Sequence, residues 1–374
     1  MSARLKVLFV THTVDPMGGA ARSLRELLEA WDVDADLMVP RFNGAPDDAT
    51  IRAFFGTRVR RIFRRWLAYD MCYRGRPAFL ESPRRWALFP LMWRLDRDRF
   101  HRFVTRHGYD LVHLNSIVLH PIVRAGGPFV LHVREILDGA QPQALASAAR
   151  ARGVVFIDEA TRAPFAATPL RASVVLNNPV DMRAVGQAPA DAAARLGGDP
   201  AALTIFAIVG TLIPEKGVDV VLEAFAALDA PDARLLVVGK GAPDYTARLR
   251  AIAGGDRRVV FWGEEPNIAA VYTLADWVVR GEPYHCVGRT VYEALYSGCG
   301  VIVPGEPQRH AFFEFDRFSA RICFYRPSDR AELTRAFAAA RGQKRTAKRG
   351  ESNAPAYAAA FDRFAREIAA DRAV

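Results

Sequence analysis

Twelve short apolar runs set the terms on which this chain can fold: "KVLFV", "ADLMVP", "DLVHL", "PFVLHV", "GVVFI", "SVVLN", "LTIFAIVG", "RLLVVG", "RVVFWG", "DWVVR", "GVIVP" and "RICFY". Most are continuous rather than alternating, and helical periodicity separates many of them. Apolar strands buried on both faces and alternating with helices specify βαβ units and a mainly parallel sheet. The fold class is therefore α/β. A chain of 374 residues exceeds what one hydrophobic core usually organises, so two domains are expected.

The boundary falls in "VLNNPVDMRAVGQAPADAAARLGGDPAA", which is rich in Pro, Gly and Ala. This gives an N-terminal domain over 1–175, a C-terminal domain over 176–352 and a last helical segment over 353–374. Each half opens with a strand, a glycine-containing loop and an amphipathic helix. The first helix begins near Ala20 and buries Leu24, Leu27, Leu28 and Trp31. The helix in "GVDVVLEAFAAL" puts Val218, Val221, Leu222 and Phe225 on one side. In the final segment Tyr357, Phe361, Phe364 and Ile368 form one stripe that must pack on a domain.

No apolar run reaches the roughly 18 residues a membrane-spanning helix needs, and the N-terminus enters a strand without a cleavage site. A cytoplasmic protein is expected, peripheral to a membrane if its charge meets one. Cys72, Cys286, Cys299 and Cys323 form no CxxC pair, so neither a disulfide framework nor a zinc site is indicated. The formal net charge is +10, and residues 51–106 hold fifteen Arg against four acidic residues. In this insertion, which spans about 45–106, Phe55, Val59, Ile62, Trp66 and Tyr69 share a helical stripe beside Arg58, Arg61 and Arg65. That pattern suits either a basic helix in a membrane interface or an ordinary helix with a buried face.

Three stretches carry chemistry. In "THTVDPMGGAARSLRELL", Gly18 and Gly19 open a helix whose N-terminal N–H groups can hold an anion, although the GxGxxG spacing of a dinucleotide fold is missing. In "IVGTLIPEKGVDVVLEAF", Lys216 stands between a strand and a helix, either as a point charge for a diphosphate or as a solvated loop residue. The third, "GEPYHCVGRTVYEALYSG", sets Glu282, His285, Gly288, Arg289, Thr290, Val291 and Glu293 around a strand end and a helix start. Thr290 and Glu293 fit a capping box, yet the preceding polar cluster and Gly288 call for a ligand. "DVDAD" at 32–36 precedes a strand and reads as a solvated turn, so no metal site is assigned.

The order of "GGAARS", "DLVHLNS", "VLHVRE", "NNPVD", "VGTLIPEKGVDVVLEAF", "LLVVGKG", "VVFWGEE", "YTLADWVV" and "GRTVYEALYSGCGVIVPG" resembles the nucleotide-sugar glycosyltransferases with two Rossmann-like domains (the GT-B fold), in particular the retaining family 4 type. The resemblance covers nearly the whole chain except residues 45–105. It implies two facing parallel-sheet domains and a C-terminal helix crossing back to the N-terminal one. It further implies that Lys216 binds the diphosphate, Glu293 the ribose hydroxyls, and the backbone from Gly288 to Val291 the diphosphate and sugar, with Gly18 and Gly19 contributing from the N-terminal domain. His132 matches the family's active-site histidine. Two positions depart from the pattern. His285 stands where the first of two spaced glutamates is common, with Glu282 three residues earlier, and Thr211 stands where an arginine is frequent; Arg289 is the candidate to replace its charge.

The reaction implied is transfer of a sugar from a nucleoside diphosphate sugar to a hydroxyl of a saccharide or lipid-linked acceptor, with retention and with no cofactor or metal ion. An anionic membrane surface is a further expected partner through residues 51–106. The alternatives are a sugar-nucleotide epimerase of the same architecture and a basic nucleic-acid-binding protein, although no nucleic-acid-binding motif is present.

Overall fold

The computed structural model describes every residue except 1–3, 16–17, 42–45, 67–69, 71–82, 184–187, 286–287, 306–314, 347–349 and 371–374. Tyr69, Cys72 and Cys286 lie outside the described residues. The chain forms two units, Met1–Pro179 with Asn353–Val374, and Val180–Ser352. The first extends past residue 175 because the N–H of Leu176 donates to Phe156 O and the Asn177 side chain donates to Ile157 O.

In the N-terminal unit the order is β1 (Lys6–Val10), α1 (Gly19–Ala30), β2 (Asp34–Pro40), α2 (Asp48–Phe55), β3 (Val59–Arg65), α3 (Pro83–His107), β4 (Leu111–Leu114), β5 (Phe129–Val133), α4 (Pro142–Arg150), β6 (Gly153–Phe156), α5 (Glu159–Arg162) and β7 (Ser173–Val175). The seven strands are all parallel, in the order β3-β2-β1-β4-β5-β6-β7. Alternate residues feed two cores: Val7 and Phe9 join the side chains of α1, whereas Leu8 and Val10 join Phe100 and Val104 of α3. Both faces are covered, so the strands read as continuous apolar runs.

The second unit runs α6 (Ala192–Leu196), β8 (Thr204–Val209), α7 (Val218–Ala226), β9 (Ala233–Val238), α8 (Pro243–Ala253), β10 (Val259–Gly263), α9 (Ile268–Leu274), β11 (Trp277–Val279), α10 (Arg289–Tyr296), β12 (Gly300–Pro304), α11 (Phe315–Phe318), β13 (Ile322–Tyr325) and α12 (Arg330–Ala340). Its six parallel strands are ordered β10-β9-β8-β11-β12-β13. The last helix, α13 (Ala354–Ala370), belongs to the N-terminal unit. Tyr357, Phe361, Phe364 and Ile368 are buried there, Phe361 meets Trp31 edge-on at 5.0 Å, and Trp31 Nε1 donates to Asp362 at 2.8 Å.

Two expectations are corrected. Residues 56–66 are no helix: Gly56, at φ 83°, ends α2, and β3 follows as the edge strand. A bulge shifts the register beside Ala35 and Asp36, which spaces its apolar residues like a helix stripe, and Arg61 then faces Asp36 across the pair. Nor is "DVDAD" a solvated turn throughout. Asp36 is fully buried in β2 and receives Arg61 Nη2 at 2.6 Å and the Tyr109 hydroxyl at 2.8 Å.

Candidate functional site

Strand order reverses between β8 and β11 in the second unit, and the carboxyl ends of strands at such a reversal form the natural ligand crevice of an open α/β sheet. Two glycines close this corner. Gly217 caps α7 at φ 59°, and a Cβ there would lie 1.8 Å from Gly281 O; one on Gly281 would lie 2.2 Å from Gly217 O. Only bare backbone allows the loop after β8 to press on the loop after β11. That contact brings Lys216 to Glu282.

Glu282 is fully buried and shared by two cations. Lys216 Nζ lies 3.2 Å from Oε1, and Arg280 donates through Nε to Oε2 at 3.0 Å and through Nη2 to Oε1. Burial pushes the Glu282 carboxyl up, but Arg280 and Lys216 outweigh it and hold its pKa below the usual value. The carboxylate is therefore ionised and acts as a clamp. Arg280 Nη1 also donates to Thr290 Oγ1 at 2.5 Å, and a Cβ on Gly288 would meet that guanidinium at 2.5 Å. Thr211, Lys216, Arg280 and Glu282 line one pocket.

Gly288 is the N-cap of α10 and receives no side-chain cap bond. Thr290 is engaged by Arg280. The capping box is therefore not the role of Thr290 and Glu293. Glu293 is fully buried, accepting from Arg289 Nε at 2.7 Å and from the Tyr272 hydroxyl at 2.8 Å. Arg289 is thus turned to Glu293 rather than toward an open pocket. The N–H of Val291 already donates to Gly288 O at 3.0 Å. First-turn N–H groups of a helix lack carbonyl partners within it and favour an anion. His285 is half-buried and more open than Glu282.

Beside this corner, an open pocket of about 380 Å³ sits at the ends of β9 and β10, lined by Gly239, Lys240, Pro243, Arg250 and Phe261. Leu212 borders both pockets. The second pocket has room for a flat heterocycle.

The N-terminal unit has its own reversal, between β1 and β4. Gly18 caps α1 there and Gly19 begins it. His132 lies inside β5 with no exposed surface, and its ring stacks on Phe361. Its Nδ1 lies 3.0 Å from His113 Nε2 and 3.3 Å from Arg134 Nη2. A guanidinium can only donate, so this Nδ1 is an acceptor and the ring proton sits on Nε2. Burial first, then Arg134 and His113, push the His132 pKa well below 6.5. The residue that matches the family's active-site histidine thus has no exposed surface in this structure. The strand's period of two turns it inward beside Val130, and the residues emerging from the strand end are Arg134 and Glu135.

Sequence reasoning missed Arg280 and Arg134. The signal for each was a charged residue directly after an apolar strand, in "DWVVR" and "VLHVRE". Arg134 is held by Asn115 Oδ1 at 3.0 Å and Asn178 Oδ1 at 2.7 Å. Cys299 is buried against the carbonyls of Tyr272 and Ala275 with its thiol pushed up to about 12, so it is inert. Among the described residues no His, Cys, Asp and Glu cluster suited to a metal ion occurs.

Residues 198–307 match the family model for glycosyl transferases group 1. The chain is 41% identical over 78 residues to the glycogen synthase of Acidiphilium cryptum, a stretch that spans 21% of this chain and 16% of that enzyme. The fold is that of GT-B glycosyltransferases. HepE from Anabaena, solved with UDP-glucose, superposes with a TM-score of 0.65 at 20% identity, covering 98% of this chain and 99% of that one. A structure of trehalose-6-phosphate from E. coli bound with UDP-2-fluoro glucose gives 0.66 at 12% identity over 97% and 96% of the two chains.

Proposed function

We propose, on the premise that residues 198–307 form a glycosyl transferases group 1 domain within a GT-B fold, that this chain transfers a sugar from a nucleoside diphosphate sugar to a hydroxyl acceptor with retention at the anomeric carbon. The observation that carries the reading is the convergence of Lys216 and Arg280 on Glu282 at the β8/β11 reversal, where Arg280 also reaches Thr290 in the first turn of α10, next to a pocket of about 380 Å³. The base occupies that pocket and the diphosphate lies against Lys216 and the first turn of α10. His285, rather than the clamped Glu282, faces the sugar. Glu293 binds the ribose hydroxyls once Arg289 or Tyr272 yields an oxygen.

As the anomeric bond breaks, the electron pair passes to the diphosphate oxygen. Lys216 and oriented N–H groups stabilise this charge more in the transition state than in the ground state. The cationic side chains make a divalent ion unnecessary. Arg134 and Glu135 take the part in the N-terminal unit that the resemblance gave to His132, beside Gly18 and Gly19. The acceptor is a saccharide or lipid-linked saccharide, a class that suits the cationic residues of the N-terminal unit.

The test is incubation of the protein with a panel of nucleoside diphosphate sugars, uridine donors first, and saccharide or polyprenyl-linked acceptors. Release of nucleoside diphosphate together with a product that keeps the donor's anomeric configuration by NMR supports the reading. Interconversion of the donor without such release supports the epimerase instead.

A further inference from the structure

Trp66, Leu91 and Leu95 are the large apolar side chains left open among the described residues, at 51%, 60% and 51% exposure. They are not scattered. Trp66 follows β3, whose Arg65 reaches Asp96 of α3 at 3.4 Å, and Leu91 and Leu95 stand one turn apart on α3. Arg94, Arg99, Arg102 and Arg106 are exposed on the same helix. At about 100° per residue, these six positions of α3 fall within a sector of roughly 140°.

The two families of arginine differ in partners. On and beside β3, Arg58 pairs with Asp32, Arg60 with Asp34, Arg61 with Asp36 and Arg64 with Asp48. On α3, Asp96 and Asp98 are engaged by Arg65 and Arg124, whereas Arg94, Arg99, Arg102 and Arg106 have no ion-pair partner among the described residues. The unneutralised charge therefore sits on α3, beside the exposed leucines. Soluble surfaces seldom gather large apolar side chains in one place without a partner. Leucines flanked by uncompensated arginines, with a tryptophan at the margin, match a helix lying in a lipid interface, where the apolar groups enter the acyl boundary and guanidinium groups meet lipid phosphates. No helix of the described chain is long and apolar enough to cross a membrane.

We infer that α3 and Trp66 form a docking surface for an anionic lipid bilayer. The surface uses no residue of the donor site, so it stands independently of the proposed reaction. The test is co-sedimentation with vesicles of phosphatidylcholine alone or mixed with phosphatidylglycerol. The wild type should pellet with the mixed vesicles only, and high salt should release it. Replacing Arg94, Arg99, Arg102 and Arg106 by Ser should lower the partition coefficient on the order of a hundredfold or more. Leu91→Ser with Leu95→Ser should lower it about tenfold or more, and Arg58→Ser with Arg60→Ser should leave it within about twofold, because those arginines are spent on aspartates. Unchanged melting and nucleotide binding would show that the variants fold. Equal binding to neutral vesicles, or full binding by either α3 variant, would overturn the inference. So would a wild-type dimer that the leucine variant converts to a monomer, since a second copy would then cover the patch.

Discussion

Lys216 and Arg280 converge on one buried carboxylate, Glu282, with Lys216 Nζ 3.2 Å from Oε1 and Arg280 Nε 3.0 Å from Oε2. One countercharge serves two cations at the end of a parallel sheet, beside a helix N-terminus. In the proposed function an anion completes the arrangement. Lys216→Ala should weaken binding of a nucleoside diphosphate by about tenfold or more, the worth of a charged hydrogen bond, and leave binding of the free nucleoside unchanged. Calorimetric titration with both ligands checks this; equal losses for both would mean the loop itself had moved.

Arg280 should matter in a way that a structural ion pair alone does not explain. Arg280→Gln leaves Glu282 with Lys216 only, and breaking a buried pair costs roughly 3–5 kcal/mol, so stability will fall. The informative variant adds Thr211→Arg, because Thr211 lines the same pocket as Lys216. Nucleotide affinity should recover in the double variant while stability does not. Recovery of neither would make Arg280 a scaffold residue.

His113 and His132 give the N-terminal unit an acid-sensitive core. Burial, with Arg134, depresses the His113 pKa to about 3, and the His132 pKa also lies well below 6.5. The unfolded chain therefore binds more protons than the folded one between those values and 6.5. Their contribution is full above 6.5 and is lost as pH falls below it, by about 1.4 kcal/mol per pH unit for each histidine. Chemical unfolding between pH 7.5 and 5 should show this slope, and His113→Gln with His132→Gln should flatten it. An identical slope in that variant would remove the pair from the account.

The arginines of the sheet edge should divide by burial. Asp36 is fully buried and accepts from Arg61 and Tyr109, so Asp36→Ala should cost about 1–3 kcal/mol, the worth of the hydrogen bonds it accepts and of the Tyr109 hydroxyl left without its partner. Arg58 and Asp32 are both largely exposed, and Arg58→Ser should cost less than about 1 kcal/mol. Denaturant midpoints for the two variants test the ordering.

The twelve apolar runs of the sequence all became strands because burial on both faces writes itself as continuous hydrophobicity. The thirteenth, β3, was illegible: an edge strand needs little apolar content, and its bulge mimicked helical spacing. Lys216 and Gly288 were legible as a loop lysine and a helix start. The pairing of Glu282 with Arg280 and Lys216 was not, because it depends on Gly217 and Gly281 touching across the sheet. The burial of His132 was illegible for a related reason. Whether a residue near a strand end points into the core or out of it turns on a single position of register.

We propose that the site built on Lys216 binds nucleoside diphosphate sugars without a metal ion. Thermal unfolding in the presence of a chelator, with a panel of nucleoside diphosphates and their sugars, is the decisive experiment. One base family should stabilise the wild type, with a shift that grows with ligand concentration and is lost in Lys216→Ala. Stabilisation that appears only on adding magnesium, or that survives unchanged in Lys216→Ala, would overturn the proposal.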